Sequence, residues 1–411
     1  MQPIKIHQNI IDAIITCIKA VVEDEKVADK EIFHFFKQNK QFGSRDRKQI
    51  AESVYDIIRW KIKYTYLLEQ FDTTLTHYKH LILVSLLNRN YEISNPEIFD
   101  FSANRIEELS SSIQQEISVP NIAQSYPKDF YDFCLKHIGE SWHQLAQALN
   151  KKANVYLRVN TLKTTRAKFI VHLEKEEILY STENCATLAN ENGIEILSKN
   201  NLKNSIYYQQ GLFEIQDIGS QAIGDFIVDS LPKNQLTQHV SIADVCAGAG
   251  GKTLQLSALL NNKGKIYACD YQASRIKNLE YRAQQAGCNN IEIIDYKNAH
   301  QLKDLSLVFI DAPCSGSGTF KRQADLKYKI SEEKINTYTS IQQQLLETYK
   351  NCITKNGKII YATCSILPQE NEHQIQAFLQ KNKHFKLENS ISILPTKYNS
   401  DGFFMASLVR V

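Results

Sequence analysis

The sequence predicts an α/β protein, in which a doubly wound, mostly parallel sheet follows an all-α bundle and a small α+β module. Three observations predict this architecture. Gly43 is the only glycine before Gly139, β-branched and aromatic residues cluster at Val155–Val159, and strand, glycine-loop and helix patterns alternate from Val240 onward. The predicted domains are 1–145, 146–230 and 231–411.

The first domain is expected to be helical. Apolar residues recur at three- and four-residue spacing through 10–18 and again through Ile50, Val54, Ile57 and Ile58. That period is typical of amphipathic helices. With so few glycines to interrupt them, such segments predict a helix bundle.

The second domain mixes both patterns. Val155–Val159 has the composition of a strand, 164–177 that of a helix, and 206–215 that of strands around Gly211. β-branched and aromatic residues favour the pleated surface of a sheet. We therefore expect a small α+β module.

The third domain shows alternating strand and helix segments. A helix is predicted at 252–260. Strands are predicted at 240–246, 265–269, 291–294, 307–310 and 358–362, the last after a turn at Asn356 and Gly357. Alternating units of this length imply a mostly parallel sheet.

Composition limits the class of protein. A chain of 411 residues is too long for one ordinary core, and 43% hydrophobic with 23% charged residues is typical of globular proteins. The net charge of +3 permits a nucleic-acid partner without indicating one. Asp12 and Lys19 interrupt the apolar stretch 10–22, which predicts an amphipathic helix rather than a signal peptide. No later apolar run approaches the ~20 residues of a membrane span, so we expect a cytoplasmic protein.

Nine cysteines are scattered along the chain, without a C-x-x-C pair or a cluster at zinc-ligand spacing. No metal site is therefore predicted. An odd number of scattered thiols favours a reducing compartment.

A glycine-rich loop, Asp244–Thr253, lies between a predicted strand and helix. Glycines let the backbone approach a ligand, which the N-terminus of the helix can also meet. Asp270 ends the next strand, where an acidic residue can bind the hydroxyls of a ribose. A Walker A loop would need glycine in place of Cys246, so a nucleoside ligand is favoured over a triphosphate. A generic strand–helix turn stays open as the alternative.

Two cysteines follow neighbouring predicted strands. Asp311–Gly318 contains Cys314 and follows one strand, and Thr363-Cys364-Ser365 closes the next. Consecutive strands in such sheets are often neighbours, so we expect both thiols at the carboxyl edge, a few ångströms apart. A disulfide is the alternative, which a reducing compartment disfavours. The other seven cysteines are expected to be packing residues.

Three motifs together resemble the RNA cytosine-5 methyltransferases of the bacterial Sun/Fmu and eukaryotic nucleolar type: Asp244–Thr253, Asp311–Gly318 and Thr363–Asn371. Supporting matches are Arg158–Asn160, Gln216–Gln221 and Asp401–Phe404, so the resemblance runs from about residue 150 to the end. Residues 43–59 are similar to the NusB-like RNA-binding domain of bacterial members. The chain departs from the family pattern at Ala249, where proline is usual, and at Ala324 and Tyr328, where proline and tryptophan are usual.

The resemblance implies a Rossmann-like class I domain that binds S-adenosylmethionine. It makes Cys364 the nucleophile, Cys314 the residue that assists product release, and Asp311 a contact of the base or of the methionine amino group. The implied cofactor residues are Cys246, Ala247, Gly248, Ala249, Gly250, Gly251, Lys252, Asp270 and Asp311, with Asp295 and Asn298 as alternatives on the adenine side.

The implied substrate is RNA, with 16S ribosomal RNA preferred and transfer RNA left open. DNA is disfavoured, because DNA cytosine-5 methyltransferases resemble this chain only in the first cysteine and carry Glu-Asn-Val where Thr363-Cys364-Ser365 stands. A non-catalytic ribosome-assembly factor is the alternative from another class. The protein is expected to act as a monomer.

Overall fold

A computed structural model describes residues 2–75, 77–188, 190–198, 202–231 and 240–411. These residues form two compact units. One unit, the helical unit, comprises Met1–Asn150 and Phe320–Ser331, and the other, the catalytic unit, comprises Lys151–Thr319 and Glu332–Val411. Within the described ranges, the structure contains no helix with the length and apolar character that a membrane crossing requires.

The helical unit confirms the predicted helical character of the N-terminal part. Its elements are β1 (Gln2–Ile4), α1 (Gln8–Val22), α2 (Ala28–Gln38), α3 (Ser44–Phe71), α4 (Tyr78–Asn88), β2 (Tyr91–Ile93), α5 (Ala103–Ser112), α6 (Pro120–Ala123), α7 (Lys128–Ile138) and α8 (Ser141–Leu149). Most of the predicted apolar positions on α1 and α3 are buried, Ile14 and Ile57 fully, whereas Ile15 is only partly buried. The short parallel pair β1–β2 was not predicted.

The segment Phe320–Ser331 packs within the helical unit although it lies far along the sequence. The guanidinium of Arg59 donates hydrogen bonds to the carbonyl oxygens of Phe320 (3.1 Å) and Lys321 (2.7 Å). The buried Lys327 donates through Nζ to the carbonyl oxygen of Arg59 at 2.6 Å. The segment is therefore an integral part of the packing of this unit.

The small α+β module forms the first part of the catalytic unit. It contains β3 (Val155–Val159), α9 (Arg166–Lys175), β4 (Tyr180–Ser181), α10 (Glu183–Ala186), β5 (Gly193–Ile196), α11 (Ile206–Gln209) and β6 (Phe213–Ile215). The strands form an antiparallel sheet in the order β4-β5-β3-β6.

The prediction of strands throughout 206–215 is wrong for its first part, which is the single turn α11. The cause is local. The Ser205 hydroxyl accepts a hydrogen bond from the Tyr208 N–H at 3.2 Å and caps the turn. The chain then reverses at Gly211, whose φ is +70°, before β6 begins.

The remainder of the catalytic unit is built on one large sheet. Its elements are α12 (Ile218–Ser230), β7 (Ser241–Asp244), α13 (Gly251–Leu259), β8 (Lys265–Ala268), α14 (Ala273–Ile276), α15 (Leu279–Ala286), β9 (Ile291–Ile293), α16 (Tyr296–Ala299), β10 (Leu305–Asp311), α17 (Glu332–Tyr349), β11 (Ile353–Thr363), α18 (Glu372–Lys381), β12 (Phe385–Ile393), α19 (Pro395–Tyr398) and β13 (Phe403–Arg410). In the described residues the strand order is β12-β13-β11-β10-β7-β8-β9.

Every strand predicted for this domain is present, and the five strands from β11 to β9 are parallel. The antiparallel strands β12, at one edge of the sheet, and β13, between β12 and β11, were not predicted. The turn predicted at Asn356 and Gly357 is instead an irregularity inside β11. Asn356 has a φ of +64° there, and the pairing with β10 shifts register between Leu305 and Leu307.

The parallel pairing of β7, β10 and β11 brings three loops to one edge of the sheet. These are 245–250, 312–319 and 364–371. The strands themselves are held by buried aliphatic and aromatic side chains, such as Ile242, Phe309 and Ile360. A packed sheet therefore presents all three sequence motifs on the same edge, where such sheets bind ligands.

Candidate active site

Cys314 and Cys364 lie side by side at the carboxyl edge of the sheet. Asp311, the last residue of β10, pairs with Ala362 of β11. The loops that follow these two strands therefore leave the sheet side by side. The Sγ atoms of Cys314 and Cys364 are 3.3 Å apart. All nine cysteines fall in the described ranges and all are free thiols. The proximity expected from adjacent parallel strands is present, and the alternative of a disulfide is not.

The surroundings of Cys314 keep its thiol protonated. Its hydrogen bond to Cys364, its burial and the negative charge of Glu370 together raise the pKa of Cys314 well above its usual value. Cys314 can therefore donate a hydrogen bond to the sulfur of Cys364. Both cysteines are half-buried.

Gly318 lets the backbones of the two cysteine loops come close enough to form a hydrogen bond. Its N–H donates to the Cys364 carbonyl oxygen at 3.0 Å, and its own carbonyl accepts from the Gly402 N–H at 2.8 Å. A Cβ atom on Gly318 would lie 2.1 Å from the Gly402 oxygen. Only glycine fits at this point of the Gly-Ser-Gly turn.

Glu370 connects the residues that follow the two cysteines. This carboxylate is fully buried. Its Oε2 accepts from the hydroxyls of Ser315 (2.6 Å) and Ser365 (2.5 Å), and its Oε1 accepts from the Ser315 N–H at 2.8 Å. The sequence prediction included Glu370 only within a matching motif and gave it no role. Its position in the short turn just before α18 carries no local signal for a contact with residue 315.

Lys252 and Asp311 form an ion pair beside the cysteines. Lys252 lies on the first turn of α13 and Asp311 at the end of β10, and Nζ and Oδ2 are 2.7 Å apart. The side chains are only 14% and 30% exposed. Burial acts to lower the pKa of Lys252, but the charge and hydrogen bond of Asp311 outweigh it, and the charge of Cys364 acts in the same direction, so the pKa is raised. A fixed positive charge therefore stands near the Cys364 sulfur, as a thiolate requires.

The glycine loop is shaped by two residues with positive φ. Gly248 has φ +56° and Gly250 has φ +86°. The Gly248 N–H donates to Oδ2 of Asp270 at 2.9 Å, which joins the loop to the end of β8. A Cβ atom on Gly250 would meet Leu279 at 2.1 Å. Glycine is required at Gly250 for both its conformation and its space.

The loop has the features of a ligand cradle. A Cβ atom on Gly248 or Gly251 would meet no described atom within 4 Å, so the backbone there faces open space. Behind the loop, the buried Oδ1 of Asp244 has no hydrogen-bond partner among the described residues. Open glycine backbone, an unpaired buried oxygen and the carboxylate of Asp270 suit a nucleoside with an amino-acid tail. The residues present fit S-adenosylmethionine.

Of the other predicted cofactor residues, Cys246 and Ala247 lie in the loop itself, and Asp295 and Asn298 follow β9. The Ala247 N–H donates to the Cys269 carbonyl oxygen at 2.9 Å. Burial, followed by the nearby carboxylates, raises the pKa of Cys246 well above its usual value, which makes it an unreactive thiol. Asp295 precedes α16 and accepts a hydrogen bond from the Lys297 N–H at 3.0 Å, and Asn298 lies exposed on the same helix.

Two arginines that the sequence prediction did not assign to the site brace the loop from outside. Arg158 on β3 donates to the Gly251 carbonyl oxygen at 2.7 Å. Arg282 on α15 donates to the carbonyl oxygen of Ala249, the position where proline is usual, and pairs with Glu214 at 2.9 Å. Arg158 could have been noticed within its matching motif, whereas Arg282 and Glu214 have no sequence signal because the contact spans three elements.

Comparison with protein families gives two matches along the chain. Residues 228–409 match the model for the 16S rRNA methyltransferase RsmB/F, and residues 126–201 match the ferredoxin-like domain of RsmF/B-like methyltransferases. The second match includes most of the small α+β module.

Curated relatives agree with the family models. A probable ribosomal RNA small subunit methyltransferase B of Synechocystis sp. is 30% identical over 337 residues, which cover 74% of this chain and 72% of the relative. The ribosomal RNA small subunit methyltransferase B of Photorhabdus laumondii is 26% identical over 346 residues, which cover 81% and 74% of the two chains.

Solved structures share the fold. The crystal structure of PH0851 superposes with a TM-score of 0.77 at 22% identity and covers 98% of this chain and 99% of its own. A methyltransferase homologue from Pyrococcus horikoshii has a TM-score of 0.61 at 24% identity, covering 71% of this chain and 98% of its own.

Proposed function

Because the chain belongs to the 16S rRNA methyltransferase RsmB/F family, we propose that it methylates carbon 5 of a cytosine in 16S ribosomal RNA through a covalent bond to Cys364. Its class, an S-adenosylmethionine-dependent RNA methyltransferase, follows from that membership and was predicted from the motifs. DNA as substrate is thereby excluded. We propose in addition that the methylated cytosine lies in 16S ribosomal RNA and that the reaction passes through a covalent bond to Cys364.

The cysteine pair is the observation that carries the proposal. Two thiols 3.3 Å apart stand next to the Lys252–Asp311 ion pair. Methylation of carbon 5 needs a nucleophile, because this carbon of cytosine is unreactive until a group adds at carbon 6. It also needs a second group to help remove the proton from carbon 5. Two adjacent thiols in different surroundings supply both needs.

In the proposed reaction, each bond that forms is matched by a bond that breaks. The Cys364 thiolate adds to carbon 6, which makes carbon 5 electron-rich, and carbon 5 then takes the methyl group. When bound, S-adenosylmethionine would supply that methyl group as an electrophile and, with its S–CH3 bond broken, would leave as S-adenosylhomocysteine. Loss of the carbon 5 proton restores the ring double bond and expels the Cys364 thiolate from carbon 6.

The roles of the other residues follow from their positions. Because its pKa is raised, Cys314 carries a proton that it can pass to the departing Cys364 sulfur 3.3 Å away, and the resulting strongly basic Cys314 thiolate is suited to take up the proton from carbon 5. Lys252 stabilises negative charge near Cys364. Asp311, held by Lys252, is placed to accept a hydrogen bond from the amino group of the base or of the methionine tail.

The remaining parts are proposed to present the RNA. We assign this role to the NusB-like region 1–145 and the α+β module 146–230, with catalysis in 231–411. The cytosine must leave its stack to reach the cysteines, which costs roughly a few kcal/mol unless it already lies in a loop. Single-stranded or bulged RNA is therefore the favoured substrate. The enzyme is proposed to act in the cytoplasm as a monomer.

The division of labour between the thiols is tested by two variants. Cys364→Ala is expected to abolish methyl transfer, because no bond to carbon 6 can form. Cys314→Ala is expected to leave an RNA adduct that survives denaturation, because the Cys364–carbon 6 bond forms but is not released. The adduct is measured by denaturing gel with radiolabelled RNA. An adduct in Cys364→Ala instead would reverse the roles.

The identity of the RNA is tested separately. Bisulfite sequencing of total RNA from a strain lacking this protein is expected to show one cytosine of 16S ribosomal RNA that loses its methyl group. Loss at a transfer RNA position would replace the proposed substrate. Unchanged methylation together with retained RNA binding would favour an assembly factor.

A further inference from the structure

The buried carboxylate of Glu370 lies beneath the loops that carry Cys314 and Cys364. Each of these cysteines is followed by a serine whose hydroxyl donates to the same oxygen, Oε2 of Glu370. We propose that Glu370 is a positioning residue, which sets the distance and orientation of the two thiols for methylation. The expected effect on methylation rests on the function proposed above, whereas the expected effect on the distance between the two thiols does not.

The contacts of Glu370 reach both loops at once. On the first loop, Oε1 accepts from the Ser315 N–H at 2.8 Å and Oε2 from the Ser315 hydroxyl at 2.6 Å. On the second loop, Oε2 accepts from the Ser365 hydroxyl at 2.5 Å. Gln342 of α17 donates to Oε1 at 3.3 Å. Four donors thus satisfy a carboxylate that has no exposure to solvent.

Glu370 is itself firmly held. Its carbonyl oxygen accepts from the Tyr361 hydroxyl at 2.6 Å, and its N–H donates to the Leu367 carbonyl oxygen at 3.0 Å. Next to it, the Asn371 side chain accepts from the Thr363 hydroxyl at 2.5 Å and donates to the Ser365 carbonyl oxygen at 3.0 Å. The residues on both sides of Cys364 are therefore tied to the turn that contains Glu370.

The shared acceptor converts two loops into one rigid body. Hydrogen bonds to a carboxylate are short, so one carboxylate oxygen that accepts from two hydroxyls holds both of them close to itself and therefore close to each other. The hydroxyls of Ser317 and Ser365, 2.9 Å apart, extend the same network. Because Ser315 and Ser365 each neighbour a cysteine, a change at Glu370 is transmitted to both sulfurs. A displacement of about 1 Å between reacting groups can cost about 100-fold in rate.

The test uses Glu370→Gln, which retains the shape of the side chain but replaces one acceptor oxygen by a donor. Glu195→Gln is the matched control for folding and for the spacing of the two thiols, since Glu195 is also a buried carboxylate, lies outside both cysteine loops and accepts from Asn154 and Asn184. Methylation of 16S ribosomal RNA is measured at varied RNA and cofactor concentrations. For Glu370→Gln we expect kcat to fall about 10- to 100-fold, with both KM values and the melting temperature close to wild type.

A second readout does not depend on activity. Diamide oxidises two adjacent thiols to a disulfide and is reduced to the hydrazine, and mass spectrometry of peptides measures the Cys314–Cys364 bond. Wild type and Glu195→Gln are expected to form this bond quickly, and Glu370→Gln several-fold more slowly. If wild type methylates no RNA, the proposed function fails, but the disulfide rates still decide the positioning role.

Two results would overturn the proposal. One is a Glu370→Gln protein with the wild-type kcat and disulfide rate. The other result concerns Ser365→Ala, which removes a single donor. This variant decides the question if Glu370→Gln does not fold. It is expected to lower kcat and the disulfide rate in the same direction by a smaller factor. If Ser365→Ala leaves both unchanged, Glu370 serves the fold alone.

Discussion

Asp244 is a carboxyl group whose surroundings oppose its ionisation. It ends β7 and is buried, with Oδ2 accepting from the Thr253 hydroxyl at 2.7 Å. Burial raises its pKa from 3.8 to about 7, with the charge of Asp311 acting in the same direction and the hydrogen bond of Thr253 acting against both. The folded protein therefore binds this proton more tightly than the unfolded chain does. The stability that the proton contributes is present at acid pH and is lost as the pH rises towards 7.

The loss of stability with rising pH should be absent in Asp244→Asn, which keeps an acceptor for Thr253 but cannot ionise. Between pH 4 and pH 7 the stability of this variant relative to wild type is expected to rise at roughly 1.4 kcal/mol per pH unit, to about 4 kcal/mol in total, and to stay level from pH 7 to pH 8. Melting temperatures of the ligand-free proteins over this range measure the effect. Glu280→Gln, an exposed carboxylate on α15, is the control. A difference that stays constant with pH would contradict the raised pKa.

The sequence predicts some residues of the site well and others not at all, for physical reasons. Cys314 and Cys364 each follow an apolar strand, and parallel pairing then requires them to be close, so local patterns were sufficient. Glu370 contacts residues about 55 positions away. Its burial is a property of the packed loops, and glutamate is most often exposed. No pattern around residue 370 marks it as buried.

At the scale of elements, the glycine loop depends on support from β3, β6 and α15. Arg158 donates to the carbonyl oxygen of Gly251, Arg282 donates to that of Ala249, and Glu214 pairs with Arg282. Burial lowers the pKa of Arg158 to about 10, against the opposing charge of Glu214. Hydrogen bonds from charged donors are roughly twice as strong as neutral ones. One of these contacts falls on Ala249, the position where the family usually has proline.

We predict that Arg282→Ala weakens S-adenosylmethionine binding about tenfold, because the loop carbonyl at Ala249 loses its donor and the loop becomes more mobile. Isothermal titration calorimetry measures the affinity. Arg166→Ala, an arginine on α9 outside this cluster, should bind like wild type. Adding Ala249→Pro to Arg282→Ala should recover part of the affinity if the brace replaces proline. Equal affinities of Arg282→Ala and wild type would show that the loop needs no brace.

Elements were predicted where one local pattern acts alone. The strands from β7 to β11 are apolar runs bounded by turn residues, and all were found. The turn α11 was taken for a strand because its tyrosines favour sheets, while the cap from Ser205 decided otherwise. The antiparallel strands β12 and β13 were not predicted. β12 is mostly exposed and polar, so its composition indicates a strand only through pairing with β13.

At the scale of the whole molecule, membership of the family confirms the resemblance drawn from three motifs. The family model matches residues 228–409, which include all three. What the sequence did not predict is that Phe320–Ser331 packs with Met1–Asn150. Short segments rich in turns carry no period that would identify a distant partner. Ala324 and Tyr328, two departures from the family pattern, both lie in this segment.

The dependence of the helical unit on this segment leads to the last prediction. Lys327 is fully buried, donates to the Arg59 carbonyl oxygen at 2.6 Å and to the Asn150 side chain at 3.2 Å, and lies 4.5 Å from the ring centre of Tyr126. Lys327→Ala removes these contacts and leaves a cavity, which should cost the helical unit about 2–4 kcal/mol.

Tryptophan fluorescence can report this unit selectively, because the two tryptophans of the chain, Trp60 and Trp142, both belong to it. The fluorescence midpoint of Lys327→Ala is expected to fall, while the exposed Lys136→Ala on α7 melts like wild type. Calorimetric affinity for S-adenosylmethionine should be unchanged, since the cradle lies wholly in the catalytic unit. A midpoint equal to that of wild type would mean that Phe320–Ser331 adds nothing to the stability of the helical unit. A lower midpoint would show that the helical unit reaches full stability only once residues 320–331 have joined it, long after residue 150 in the order of synthesis.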